Sequence, residues 1–293
     1  MKQLLLTSIM LFIMGCNFNG LNPFDKKVSA VKYQKRALIV GVRDYSGTQS
    51  DFAEGIEMDV EKMKKLFEKW DFEVTVLFNE ESMNLEEHLN AYSKKLTKND
   101  KFIFYYTGHG SHTKDVNGDE KDGNDETIIL SNGKEDYYFL DDTLNGYMNM
   151  IKAPKLVLFD SCHSGSAFRG LNFSKDHPMS KSLPTQIQPK AFKSREFKVE
   201  ERLLRDGDYI VLSASQDSES SLATDVGSLF TNALYDQLNN KDGLDITLGE
   251  LNGRIKKNIS DYCYASRLDA HHPIFSVSNS RLLESSLSDF LKP

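Results

Sequence analysis

The sequence predicts an α/β fold, an open and mostly parallel sheet with helices on both faces. Strand-length apolar runs alternate with longer segments whose apolar residues recur at helical spacing. Several of these runs are apolar along their whole length, as strands buried on both faces are. The 293 residues, 39% hydrophobic and 27% charged, have ordinary globular composition and suffice for a substantial core.

The first strand is Ala37-Leu-Ile-Val-Gly-Val42, bounded by charge. A helix follows from Met58, with Val60, Met63, Leu66, Phe67 and Trp70 on one face. Glu73 to Phe78 reads as a second strand, and Leu85, Leu89, Tyr92 and Leu96 fit a second helix. Lys101 to Tyr106 is a third strand, running into Thr107-Gly108-His109-Gly110. Asp141 to Ile151 has helical spacing. Lys155 to Phe159 is a fourth strand and runs into Asp160-Ser161-Cys162. Asp208 to Ser213 and Pro273 to Val277 complete the strands, with helices near 229–238 and 248–262 between them. Asp115 to Glu126 is a polar, acidic loop. Residues 167–207 form a long polar linker rich in Lys and Arg, with Pro178, Pro184 and Pro189. No internal repeat or low-complexity tract is present.

The amino terminus reads as a targeting segment. Lys2 precedes an apolar run from Leu4 to Met14, too short to span a bilayer stably, and Gly15-Cys16 follows. Ile13-Met14-Gly15-Cys16 resembles a bacterial lipobox, which implies lipidation at Cys16 and an exported, lipid-anchored location in the cell envelope. An ordinary cleaved signal or a buried strand are the alternatives. Residues 17–35 have no period and suit a tether. With Cys16 lipidated, only Cys162 and Cys263 remain, so a disulfide framework does not organise the domain. Cys263 reads as a small, half-buried helix residue. The net charge of -7 argues against sequence-independent nucleic-acid binding, which needs basic surface.

His109 and Cys162 each stand just past the carboxyl end of a strand, where open α/β sheets bind ligands. A thiol nucleophile needs a base, or a cation beside its thiolate, and donors where the oxyanion forms. His109 suits the first role. Glycines flank it, and the N–H of Gly110 is a candidate oxyanion donor with the N–H of Cys162 itself. His163 adjoins the cysteine but leaves the chain in another direction. His112, His271 and His272 read as surface or structural residues.

These features resemble a bacterial metacaspase-like protein of peptidase family C14. The resemblance is carried by Arg36-Ala-Leu-Ile-Val-Gly-Val42, the Met58-Asp59 helix start, Tyr106-Thr-Gly-His-Gly110, Asp119 to Thr127, Asp160-Ser-Cys-His-Ser-Gly165 and Gly227-Ser-Leu-Phe-Thr231, in that order. The spacing of about 50 residues from histidine to cysteine also matches caspases. The resemblance implies a caspase-like three-layer α/β/α fold with a central sheet of about six strands. It implies a peptidase domain over 36–280, divided by the linker into a larger part to about 166 and a smaller part from 208. A tail over 281–293 would follow.

The resemblance further implies a cysteine endopeptidase that cuts peptide and protein substrates after Arg or Lys. Asp59 and Asp160 would form the acidic specificity pocket, lined by Thr107. Helix-start capping is the alternative for Asp59. Calcium is implied as an activator, held by Asp125, Asp141 and Asp142, although a fourth family ligand position falls on Arg169 here. No cofactor is implied for the chemistry, and a monomer is expected. The linker offers sites for self-cleavage, or is an exposed loop open to any protease. Two rival readings are an inactive, membrane-anchored caspase-like scaffold and a thiol hydrolase acting on something other than peptide.

Overall fold

The structure, a computed structural model, describes residues 33–46, 53–114, 124–161, 179–180, 208–215, 221–240 and 242–292. All of them fall in one unit, Tyr33–Pro293. Cys16, most of the tether, the linker apart from 179–180, and Cys162, His163 and Arg169 lie outside the described residues.

The elements run β1 (Lys35–Gly41), α1 (Ala53–Lys69), β2 (Glu73–Phe78), α2 (Ser82–Lys95), β3 (Lys101–Thr107), β4 (Gly110–Lys114), β5 (Asn124–Ser131), β6 (Asp136–Leu140), α3 (Asp141–Met150) and β7 (Lys155–Asp160). They continue with β8 (Met179–Ser180), β9 (Tyr209–Ser213), β10 (Leu222–Thr224), β11 (Gly227–Ser228), α4 (Leu229–Asn239), α5 (Leu248–Ser266), β12 (Ile274–Val277), a 3₁₀ turn (Ser280–Glu284) and α6 (Leu287–Leu291).

The central sheet has six strands in the order β12-β9-β7-β3-β1-β2. All neighbours are parallel except β12, which runs antiparallel to β9. Both faces are covered, and the pleat sorts side chains between them. Ala37, Ile39, Ile103, Tyr105, Leu156, Leu158, Ile210 and Leu212 share one core with residues of α1, α4, α5 and α6. Leu38, Val40, Phe102, Phe104, Tyr106 and Val157 share the other with residues of α2, α3 and the sheet β4-β5-β6. This two-sided burial is why these strands read as unbroken apolar runs.

Chain direction within the sheet sets where a cleft can form. From β1 the chain moves outward to β2, then returns to β3 on the other side of β1 and continues to β7 and β9. The reversal lies between the carboxyl ends of β1 and β3, the position at which open α/β sheets bind ligands. α1 lies so close to β1 that a Cβ on Gly41 would fall 2.5 Å from a Val60 methyl.

Three sequence expectations change. α1 begins at Ala53, so Asp59 sits in its second turn and is no helix-start residue. Apolar periodicity begins only at Met58, which hid the first turn. Asp125 and Glu126 are strand residues of β5 rather than loop. The stretch 281–293 is not a loose tail: Leu287, Phe290 and Leu291 of α6 are buried in the core shared with α5. Replacing Phe290 with alanine removes a buried aromatic ring, and should lower unfolding stability by about 3 kcal/mol or more in urea titrations.

Candidate active site

The site begins with the pairing of β3 and β7. Their register sets Thr107 opposite Asp160, so both strands end level on the same rim. The Gly108 N–H donates to the Asp160 carbonyl at 3.4 Å, which ties the two exits together.

His109 follows directly and is only 6% exposed. Its amide N–H donates to the Tyr45 hydroxyl at 2.6 Å. Its carbonyl accepts from the Tyr106 hydroxyl at 2.7 Å and from the Ile129 N–H at 3.1 Å. The Tyr45 ring lies 4.3 Å from the imidazole, centroid to centroid, at an interplanar angle of 47°. Burial, as the largest cause, holds the Tyr45 and Tyr106 phenols above their ordinary range, so both remain neutral donors.

Gly110 opens β4 and faces Ile128 of β5. Antiparallel ladders alternate hydrogen-bonded and non-hydrogen-bonded pairs, and His109–Ile129 is a bonded one. Gly110 therefore falls on the other kind. Its N–H turns away from β5, toward the side of β4 that pairs with no other strand among the described residues. That orientation suits an oxyanion donor.

On the opposite face of the central sheet lie two carboxylates with no solvent exposure, Asp59 and Asp160. Asp59 accepts from the Ser228 N–H at 2.8 Å, from the Ser228 hydroxyl, and from the Thr107 hydroxyl at 3.2 Å. These bonds replace the helix-cap alternative. Asp160 accepts from the Ser221 hydroxyl at 3.0 Å and the Thr231 hydroxyl at 2.5 Å. Thr231 also meets the Tyr105 hydroxyl at 2.7 Å. Burial first, then the charges of Asp59 and Asp160, push the Tyr105 phenol well up. Charge-assisted bonds of this kind contribute about 1.5–3 kcal/mol each and offset the cost of burying the charge.

Cys162 lies outside the described residues. Ser161, the last described residue before it, is buried, and its carbonyl accepts from the Ser215 hydroxyl at 3.3 Å. His271 is buried with its Nδ1 2.6 Å from the Ala214 carbonyl, a structural role as expected. His112 lies on β4, part-exposed. Cys263 is fully buried in α5, deeper than expected, and burial raises its thiol pKa.

The calcium expectation rests on Asp125, Asp141 and Asp142. Extending the β5–β6 register carries Asp125 toward the first turn of α3, which holds Asp141 and Asp142. Yet no three metal-binding side chains gather closely enough to hold an ion among the described residues. Calcium takes about 6–8 oxygens, so the described carboxylates alone do not fit it.

Several contributors escaped the sequence reading. Tyr45 stands alone in a polar stretch after β1; an aromatic just past a strand's carboxyl end is its only signal. Ser228 and Thr231 lie in the Gly227–Thr231 piece, whose order was legible while its role was not. Tyr105 and Ser221 had no distinguishing pattern.

Comparison with known proteins follows the same lines. A family model described as the caspase domain of peptidase family C14 matches residues 34–281. Metacaspase-1 of Ajellomyces capsulatus is 43% identical over 77 residues, 25% of this chain and 22% of that protein. Metacaspase-1 of Meyerozyma guilliermondii is 30% identical over 163 residues, 50% of this chain and 39% of that protein. The matches thus span well under half the length of these relatives. Among solved structures, protein GSU0716 from Geobacter sulfurreducens superposes with a TM-score of 0.66 at 23% identity, covering 86% of this chain and 97% of that one. Caspase-1 from Spodoptera frugiperda gives 0.56 at 15% identity, covering 84% and 86%. At these identities the structures speak for the fold, a caspase-like three-layer α/β/α sandwich.

The bonds around Asp59 depend on Gly227, whose φ of 108° disfavours a side chain and whose added Cβ would fall 2.6 Å from an Asp59 oxygen. Gly227→Ala should cost about 1–3 kcal/mol of stability in denaturant titrations.

Proposed function

The chain belongs to the caspase-domain family of peptidases, and from that premise we propose that it is a cysteine endopeptidase cutting after Arg or Lys through His109 and Cys162. The observation that carries the specificity is the pair of fully buried carboxylates, Asp59 and Asp160, at the strand end that bears His109. Anionic groups held in a dry pocket by hydroxyl and amide donors favour a guanidinium or ammonium and repel an acidic side chain.

In the proposed reaction the Cys162 thiolate attacks the carbonyl carbon after the basic residue. The oxyanion is met by N–H groups, with Gly110 supplying one. His109 gives its proton to the departing amine, and water then releases the acyl-enzyme with His109 as base. The support for His109 is its place on the cleft rim between β1 and β3.

Three further parts belong to this reading. The basic linker 167–207 would be cleaved by the enzyme itself, because it offers many Lys and Arg sites. Calcium would act only as an activator; Asp125, Asp141 and Asp142, to which the resemblance assigns it, are not gathered into an ion site among the described residues. A lipid on Cys16 would hold the protein, as a monomer, at a membrane of the cell envelope. The support there is the amino-terminal sequence pattern.

A short fluorogenic peptide ending in Arg should be turned over, and one ending in Asp should not. Cys162→Ala should abolish turnover and leave the linker intact. Asp160→Asn should lower kcat/KM for the Arg peptide by about 100-fold or more, mostly through KM, since it removes a buried charge that pairs with substrate. Preference for the Asp peptide would overturn the specificity. Silence of the reduced enzyme with and without calcium would favour a scaffold instead.

A further inference from the structure

We propose that Tyr45 and Tyr106 are positioning residues that clamp His109 at both ends of its backbone and set the direction of its imidazole. The proposal rests on the reading of His109 as the acid–base group.

A histidine that has just left a strand is free to turn unless something fixes it. Here both backbone polar groups of His109 are held by phenols from different elements. Tyr45, at the exit of β1, takes the amide N–H; Tyr106, in β3, gives its proton to the carbonyl. Both crowd the glycine between them and the histidine. A Cβ on Gly108 would lie 2.7 Å from each hydroxyl, so any larger residue would break the arrangement. The Tyr45 ring, tilted against the imidazole, restricts its side-chain torsions and offers a π face to the imidazolium.

Each phenol is anchored in turn. The Tyr45 hydroxyl donates to the Val42 carbonyl at 3.1 Å, and the Tyr106 hydroxyl, its proton on the His109 carbonyl, accepts from the Ile129 N–H at 3.3 Å. The backbone just before Tyr45 is pinned by Asn79 at the end of β2, whose side-chain oxygen accepts from the N–H groups of Arg43 and Asp44. Burial is the larger cause raising the Tyr45 phenol, and the Asp136 charge acts in the same direction. A buried hydroxyl is costly unless bonded, so the phenols favour this one geometry over its neighbours. Their removal would loosen the ring without removing it, and a misplacement of about 1 Å can cost a reaction about 100-fold.

The test uses the full chain carrying Tyr45→Phe or Tyr106→Phe, which keep the rings, alongside His109→Ala. Two quantities are read: kcat and KM on the Arg peptide, and the pH dependence of Cys162 alkylation by iodoacetamide, followed on the peptide that contains it. Each tyrosine variant should lower kcat about 10- to 100-fold at unchanged KM. The alkylation midpoint should move up toward the ordinary thiol value of about 8.5, as it does in His109→Ala. In a His109→Ala background the added Tyr45→Phe should change alkylation less than about twofold, because the effect runs through the histidine. A wild-type kcat and alkylation profile in the folded tyrosine variants, with a shifted profile in His109→Ala, overturns the clamp alone. A shift that persists in the His109→Ala background overturns it too. A wild-type profile in His109→Ala overturns the acid–base reading, and the clamp falls with it.

Discussion

The parallel pairing of β3 with β7 is the constraint from which the site grows. Its register sets Thr107 level with Asp160, and the Gly108 N–H reaches across to the Asp160 carbonyl. Parallel partners share a face, so Thr107 and Asp160 both point toward α1 and α4. The same register brings the chain after β3 and the chain after β7 to one rim. Everything else at the site is arranged around those two exits.

Burying two carboxylates on that rim is expensive, and the fold offsets the cost with donors drawn from distant sequence. Asp59 on α1 is met by Ser228, 169 residues away, and Asp160 by Thr231, 71 residues away. Gly55 supports the arrangement from below, since a Cβ there would fall 2.2 Å from the Thr224 carbonyl. α1 and the β10–β11 hairpin are therefore in close contact, with Lys62 donating to the Val226 carbonyl at 2.6 Å. This carboxylate pair is assembled only when the whole unit has folded, because its donors come from distant sequence.

The central strands were legible because burial on both faces leaves an unbroken apolar run, and this is how Lys101–Thr107 and Lys155–Asp160 stood out. β4, Gly-Ser-His-Thr-Lys, carries no such run, because burial falls away along it from Gly110 and Ser111 to the exposed Lys114. β8, β10 and β11 are two or three residues long and leave no period to read. In the candidate site, His109, Asp59 and Asp160 stand out through ordered motifs and strand ends. Tyr45, Ser228 and Thr231 do not, because their value lies in contacts made across many intervening residues. The early turn of α1 was missed for a simpler reason: its first residues, up to Glu57, are mostly polar or small and set no apolar stripe.

Tyr105 and Tyr106 are neighbours in one strand and face opposite ways. The first joins the hydroxyl network around Asp160; the second grips the peptide unit of the histidine. On the function proposed above, pleating wires substrate choice and chemical rate to separate sides of a single strand. Natural drift, or a directed library, can rework the residues around Tyr105 to accept a new side chain while the machinery behind Tyr106 stays as it is. An inserted residue in β3 before Tyr105 would exchange the two sides and forfeit both at once.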